Sequence, residues 1–137
     1  MRKRILVIDD EMQIRKIYVR LFQAIGSRVF EVIEAANATE ATNYLIREHF
    51  DVVLLDIKMP GVNGLEMFEV IKEYNPKLKV IVASVYPIEI QKNVIPYAED
   101  YYDKSQGPFK LIEKVASTLF PHQEGMEAFN SEKGDKS

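Results

Sequence analysis

The stretch that decides the fold is DVVLLDIKMPGVNG, residues 51–64. Its four consecutive apolar residues predict a strand buried on both faces, as is typical of the centre of a parallel sheet. Asp56 follows that strand directly, and the proline and glycines after it predict a loop before a helix that begins near Leu65. A carboxylate is therefore expected at the carboxyl end of a core strand, where open α/β sheets bind ligands. On this stretch alone, an aspartate that merely caps a turn explains Asp56 equally well.

The rest of the chain repeats the strand-then-helix pattern. Residues 5–8 and 80–83 are wholly apolar and predict central strands, whereas residues 30–34 and 100–103 carry polar positions and predict edge strands. We expect an α/β fold of the flavodoxin-like (βα)5 type over residues 1–120, a doubly wound parallel five-stranded sheet in the order 2-1-3-4-5. The polar, aperiodic residues 121–137 predict a disordered tail.

Composition excludes several classes of protein. The 137 residues include no cysteine, so a disulfide scaffold and a thiolate metal site are excluded. A net charge of −3 argues against binding to nucleic acid. The basic start is followed by too short an apolar run for a targeting segment, and no later run is long enough to span a membrane. A cytoplasmic location with no nucleic-acid or membrane partner is expected.

Polar side chains follow four of the predicted strands at the same edge of the sheet: Asp9, Asp10, Asp56, Ser84 and Lys104. Carboxylates about 5 Å apart would repel by about 3 kcal/mol per pair at an effective dielectric of ~20, so an ionised cluster requires a cation. Oxygen ligands suit Mg²⁺. Such a site suits phosphoryl transfer, with an aspartate nucleophile and with the metal, the ammonium and the hydroxyl stabilising the phosphoryl oxygens.

Each of these residues also has an ordinary structural interpretation. Asp10 and Gln13 have the spacing of a capping box, and Asp9 is compatible with a loop acid. Ser84 is compatible with a turn, and Lys104 with a solvated charge on an edge strand. It is their occurrence together at one sheet edge that favours a functional site.

With these residues in place, residues 1–120 resemble the receiver domain of two-component response regulators. The motifs are Val7-Ile8-Asp9-Asp10-Glu11, the Asp56-x-x-Met59-Pro60-Gly61-x-x-Gly64 block, Ser84 and Lys104. The resemblance implies that Asp56 is the phosphoacceptor. The implied Mg²⁺ ligands are Asp9, Asp10, Asp56 and the backbone carbonyl of Lys58. The implied phosphoryl-binding and switch residues are Ser84, Lys104 and Tyr101.

The resemblance also implies the partners. The phosphodonor would be a phosphohistidine on a sensor histidine kinase or a histidine phosphotransfer protein, and the chain would be a monomer or weak dimer. It would not be an enzyme beyond promoting its own phosphotransfer and dephosphorylation. Because no effector region follows the receiver, a stand-alone regulator or relay intermediate is the simplest expectation.

Two departures from the family pattern lie directly after Ser84 and in the segment between Ser84 and Lys104. Val85 stands where the family usually has alanine, and it should narrow the approach to Asp56. Lys58 and Tyr86 lie at positions that by resemblance flank the phosphoryl group, so we expect slow hydrolysis and a long-lived phosphoaspartate. The segment between Ser84 and Lys104 is a little shorter than usual, consistent with a short fourth helix.

A third departure lies after Lys104, where Ser105-Gln106-Gly107 interrupts the family's Lys-Pro-Phe. A cis peptide before a residue other than proline costs about 2.5–4 kcal/mol, so we expect the Lys104-Ser105 bond to be trans. Gly107 should then supply a positive φ and Pro108 should open the last helix. The longer loop predicts a more mobile Lys104.

Three other functions compete with this interpretation. A flavodoxin-type flavin binder needs a phosphate loop after the first strand, where the acids of residues 9–11 would repel a phosphate. A haloacid-dehalogenase-like phosphatase calls for an Asp-x-Asp spacing that the same residues lack. The serious alternative is a degenerate receiver that acts as a phosphorylation-independent protein-interaction module.

Overall fold

The computed structural model describes residues 1–59 and 62–121. Five strands form one sheet: β1 (Lys3–Ile8), β2 (Phe30–Ala35), β3 (Val52–Leu55), β4 (Lys79–Ser84) and β5 (Asp100–Asp103). All neighbouring pairs are parallel, and the order is β2-β1-β3-β4-β5. The predicted fold class and strand order are confirmed. The predicted disordered tail falls almost wholly on residues 122–137, outside the described residues.

Five helices cover the two faces of the sheet: α1 (Met12–Gly26), α2 (Ala38–Arg47), α3 (Gly64–Tyr74), α4 (Ile88–Val94) and α5 (Pro108–Leu119). One core cluster joins α2, α3 and α4 to one face, and a second joins α1 and α5 to the other. The apolar central strands β1, β3 and β4 serve both clusters, since alternate side chains point to opposite faces. No helix in the described ranges is long and apolar enough to cross a membrane.

The loop after β3 contains structure that the sequence did not predict. Lys58–Met59 pairs antiparallel with Val62–Asn63, and these two short strands form a small hairpin beside Asp56. The Gly64 N–H donates to the carbonyl of Ile57 at 2.9 Å. A Cβ at Gly64 would lie 2.7 Å from the Ile57 Cα, so a side chain here would push the loop away from the helix.

The segment after β5 turns as expected. Lys104–Gln106 forms one turn of 3₁₀ helix, capped reciprocally by Asp103 and Gln106. Gly107 has φ of 90°, and Pro108 opens α5. The Lys104-Ser105 bond is trans, because the described ranges contain no cis peptide bond.

The capping box considered for Asp10 and Gln13 is wrong. Glu11 occupies the N-cap position of α1, and in the described part of the chain no side chain accepts a capping hydrogen bond there. Asp10 is exposed and lies before the cap, so its carboxylate is not engaged in starting the helix. The Asp10 carboxylate can therefore act together with the neighbouring acids as an oxygen donor.

Candidate functional site

Strand pairing brings Asp9 and Asp56 side by side. Ile8 and Leu55 are partners in the β1-β3 pair, and each aspartate is the residue that follows. The Asp56 N–H donates to the Ile8 carbonyl at 3.0 Å, which extends the pairing to the strand ends. Both side chains are buried, with Asp9 1% and Asp56 6% exposed. The sheet therefore fixes two carboxylates in a region of low solvent access.

The acids after β1 form a compact cluster of oxygen donors. Carboxylate oxygens of Asp9, Asp10 and Glu11 all lie within 4.8 Å of one another. The Glu11 N–H donates to Asp9 Oδ1 at 2.9 Å, which orients the buried carboxylate. Asp10 and Glu11 are exposed, so they face solvent from the mouth of the site.

Lys104 reaches into this acidic site from the end of β5. Its Nζ lies 3.0 Å from Asp9 Oδ2 and 3.9 Å from Asp56 Oδ1, and its side chain is 12% exposed. The solvated edge charge that was the alternative for Lys104 is therefore wrong. The expected mobility of this lysine stays a prediction, although its ion pair with Asp9 restrains the ammonium.

The Asp56 carboxyl has a perturbed acidity. Burial raises its pKa from 3.8 to about 6, the Lys104 ammonium opposes this rise, and the nearby Asp9 carboxylate adds to it. The Lys58 N–H approaches Asp56 Oδ1 at 3.4 Å and favours the ionised form weakly. A buried carboxyl whose pKa is raised beside a fixed cation is a common feature of functional sites.

The two predicted switch residues lie on β4 and β5, the two strands that follow β3 in the sheet. Ser84 ends β4 and is buried, and its Oγ accepts a hydrogen bond from the Tyr86 N–H at 3.1 Å. Tyr101 is buried in β5, where its hydroxyl donates to the carbonyl of Ile95. It also accepts from the Ala98 N–H at 3.2 Å. The aromatic ring is thus held inward by the segment after α4.

The residues expected to limit access lie on two loops next to the site. Lys58 is exposed and begins the small hairpin. Val85 is 67% exposed and Tyr86 is partly buried, in the loop between β4 and α4. Their influence on access to Asp56 stays a prediction.

Sequence reasoning missed an arginine that supports the acid cluster. Arg15, on the first turns of α1, donates from Nη1 to the backbone carbonyl of Asp9 at 2.8 Å. Its Nε pairs with Glu34 Oε1 at 3.2 Å, at the end of β2. The available signal was a basic residue one helical turn after Glu11. Its contact with Glu34, however, depends on the β1-β2 pairing.

The donor set fits a hard divalent cation. All candidate ligands are oxygens, and they combine a buried carboxylate with exposed ones that leave room for water, as Mg²⁺ sites usually do. Asp9 Oδ2 contacts Lys104 in this arrangement, so an ion bound at the cluster would compete with the ammonium for that oxygen.

Two bacterial proteins are similar to this chain in sequence. This chain is 34% identical over 86 residues to sporulation initiation phosphotransferase F of Bacillus subtilis (strain 168). The match covers 63% of this chain and 67% of that protein. This chain is also 32% identical over 112 residues to the DNA-binding transcriptional regulator NtrC of Escherichia coli (strain K12), covering 80% of this chain. The match spans only 23% of NtrC.

Solved structures show the same architecture. The response regulator TrrA of Thermotoga maritima, in complex with Mg²⁺ and BeF, superimposes with a TM-score of 0.76 at 35% identity over 85% of this chain and 99% of that one. TrrA in complex with the histidine kinase ThkA matches with a TM-score of 0.74 at 34% identity, over 85% of this chain and 98% of that one. A CheY-like receiver from Methanospirillum hungatei JF-1 matches with a TM-score of 0.76 at 29% identity, over 93% of this chain and 99% of that one.

A family model matches nearly all of the folded chain. It is the response regulator receiver domain, and it covers residues 5–116, from the middle of β1 into α5. The matched span includes both buried aspartates, Ser84 and Lys104, which the sheet places at one edge. The chain belongs to the response regulator receiver domain family.

Proposed function

We propose that this chain is a phosphoacceptor receiver that takes a phosphoryl group onto Asp56 with the aid of Mg²⁺. One observation carries the proposal: the buried Asp56 carboxylate lies 3.9 Å from the Lys104 ammonium, which also contacts Asp9 of the acid cluster at 3.0 Å. Phosphorylation and Mg²⁺ binding are typical of the family, and the homologous TrrA has been solved with Mg²⁺ and BeF.

The phosphodonor that we propose is a phosphohistidine on a sensor histidine kinase or histidine phosphotransfer protein. The crystal structure of TrrA with the histidine kinase ThkA supports this class of partner. An Asp56 carboxylate oxygen attacks phosphorus, so that an O–P bond forms as the N–P bond to the donor imidazole breaks. The electron pair stays on the imidazole nitrogen, which takes a proton from solvent.

The surrounding side chains have distinct roles in this transfer. The Lys104 ammonium neutralises charge on the phosphoryl oxygens, and the Ser84 hydroxyl donates a hydrogen bond to one of them. Tyr101 is the switch aromatic, which responds when the Ser84 hydroxyl forms its hydrogen bond to the phosphoryl group. Asp9, Asp10, Asp56 and the Lys58 carbonyl would hold Mg²⁺. When bound, the metal supplies positive charge that offsets the repulsion between the carboxylates and the incoming phosphoryl group.

Labelling with a small-molecule phosphodonor tests this function. The protein is incubated with phosphoramidate and Mg²⁺, and intact-mass spectrometry measures the gain of one phosphoryl group. Labelling should require Mg²⁺ and should be lost in Asp56→Asn. The matched control is Asp51→Asn, at the amino end of the same strand, which should label like the wild type. Continued labelling of Asp56→Asn would reject Asp56 as the acceptor.

The lifetime of the phosphoaspartate is the second part of the proposal. Lys58 and Tyr86 flank the site on two different loops, and with Val85 they would hinder an attacking water. Lys58→Ala and Tyr86→Ala should each hydrolyse the phosphoaspartate faster than the wild type, as measured by loss of the label after the donor is removed. Unchanged decay in both variants would contradict the shielding.

A phosphorylation-independent interaction module is the alternative. It rests on two departures from the family pattern, Val85 beside Ser84 and the Ser105-Gln106-Gly107 loop after Lys104. Beryllofluoride with Mg²⁺ distinguishes the two functions, because a phosphoacceptor should show NMR shifts around Asp56 on binding it. A chain that neither binds beryllofluoride nor accepts a phosphoryl group would be such a module.

A further inference from the structure

Gln91 is a wholly buried amide on the inner side of α4, with 0% exposure. Its Nε2 donates to the Tyr86 carbonyl at 2.7 Å and to the Tyr102 carbonyl at 3.1 Å. A glutamine amide has two N–H donors, so these two bonds use both. Its Oε1 is buried and has no hydrogen-bond partner within residues 1–59 and 62–121.

The two carbonyl acceptors fix the orientation of this amide. A flipped amide would point Oε1 at the Tyr86 and Tyr102 carbonyl oxygens, and the three acceptors would repel one another. Because Nε2 must face the two carbonyls, Oε1 points the other way and is left without a partner in the described residues. A buried acceptor without a partner costs free energy, and an apolar side chain of similar volume would fill this space without that cost. What Gln91 adds is a link between two backbone segments.

Both linked segments lead to the candidate site. Tyr86 closes the short turn in which its own N–H donates to Ser84 Oγ at 3.1 Å. Tyr102 lies in β5, two residues before Lys104. Gln91 thus ties the turn that orients the Ser84 hydroxyl to the strand that delivers the Lys104 ammonium. Its hydrogen bonds go to neither of these two side chains nor to the acids.

We propose that Gln91 is a positioning residue that sets the placement of Ser84 relative to Lys104. This rests on the proposed function, in which both groups contact oxygens of the same phosphoryl group. Gln91 acts at a distance from the metal-binding acids, which are held by β1, β3 and the start of α1. Loss of its two donors should weaken phosphoryl binding without weakening metal binding.

The test compares Gln91→Met, which keeps the volume and removes both donors, with Asn93→Met on the exposed side of the same helix. In Gln91→Met we expect the beryllofluoride dissociation constant at saturating Mg²⁺ to rise about fivefold, the fold-change that corresponds to about 1 kcal/mol of binding free energy lost when Ser84 and Lys104 are less well placed. The Mg²⁺ dissociation constant should stay within about twofold of the wild type. Hydrogen exchange of the Tyr86 amide, measured without ligand, should become about fivefold faster. Asn93→Met should change none of these.

Unchanged beryllofluoride affinity in Gln91→Met would overturn the proposal, and so would a parallel loss of Mg²⁺ affinity, which would indicate general loosening. If Gln91→Met does not fold, the wild-type side-chain NH₂ signals decide. They should exchange slowly and shift when beryllofluoride binds, and unshifted signals would overturn the proposal. A wild type that binds no beryllofluoride contradicts the proposed function instead, and the ligand-free Tyr86 exchange then decides whether Gln91 restrains the turn.

Discussion

At the Asp56 side chain, burial works against the ionised carboxylate, and Lys104 offsets this only in part. The folded-state pKa of about 6 lies above the ordinary value of 3.8, so the folded protein holds the proton more tightly than the unfolded chain does. Stability from this group is therefore fully present below about pH 4 and is lost as pH rises through about 6.

Asp56→Asn should consequently stabilise the metal-free protein at neutral pH. The gain in unfolding free energy should be about 2–3 kcal/mol at pH 7.5, since one pKa unit corresponds to about 1.4 kcal/mol. It should disappear near pH 3, where both states of the wild type carry the proton. Urea denaturation in EDTA at the two pH values measures this difference. An equal gain at both pH values would show that ionisation of Asp56 is not its cause.

Lys104 and a metal ion compete for the same carboxylate. The ammonium lies 3.0 Å from Asp9 Oδ2, so Lys104→Met should free that oxygen and tighten Mg²⁺ binding by about tenfold. Beryllofluoride binding should weaken in the same variant. Lys58→Met, which removes an exposed ammonium from the adjoining hairpin, controls for long-range charge in the NMR titration. Weaker Mg²⁺ binding in Lys104→Met would contradict the competition.

Among the connecting elements, the turn into α3 depends on close backbone approach. A Cβ at Gly64 would lie 2.7 Å from Ile57 Cα and 3.0 Å from its carbonyl oxygen. Gly64→Ala should destabilise the protein by about 1–3 kcal/mol, because backbone atoms cannot move aside as a flexible side chain can. Gly26→Ala is the control, since its Cβ would meet Val29 at an ordinary 3.4 Å. Equal urea midpoints for the two variants would contradict this steric argument.

The turn into α5 depends on a glycine for a different reason. A Cβ at Gly107 would meet nothing within 4 Å, but φ of 90° with ψ of 165° lies in a region used almost only by glycine. Gly107→Ala should cost about 1–3 kcal/mol. Gly107→Asn should not recover this loss, because the left-handed region that asparagine tolerates has a much smaller ψ. Thermal unfolding of both variants checks this, and wild-type stability in either would be inconsistent with backbone strain.

The strands and helices that could be predicted from the sequence are those marked by a local pattern of residue types. Apolar runs identified β1, β3 and β4, because burial on both faces is a local property. The shortness of the segment between Ser84 and Lys104 indicated the short α4. The antiparallel pairing of residues 58–59 with residues 62–63 was missed, since the proline and glycine between them in the sequence indicate only a loop. The capping box considered as the structural alternative for Asp10 and Gln13 is absent, because the backbone places Glu11 at the N-cap position although aspartate is the better capping residue by type.

At the scale of the whole molecule, most of the candidate site was predictable because parallel strands bring their carboxyl ends to one edge. That rule alone predicts that Asp9, Asp56, Ser84 and Lys104 lie together. It gave no information about Arg15 or Gln91, whose partners lie on other elements and whose roles depend on side-chain direction. The ion pair between Lys104 and Asp9, 95 residues apart in sequence, is likewise a product of packing.

If Asp56 accepts the phosphoryl group, chemical mapping of the modified residue should find it there. Protein incubated with phosphoramidate and Mg²⁺ is reduced with borohydride, which converts an aspartyl phosphate to homoserine, and is then digested and sequenced by mass spectrometry. We expect homoserine at position 56 and unmodified Asp9, Asp10 and Asp51. Homoserine at another aspartate, or phosphorylation that leaves Asp56 intact, would contradict it.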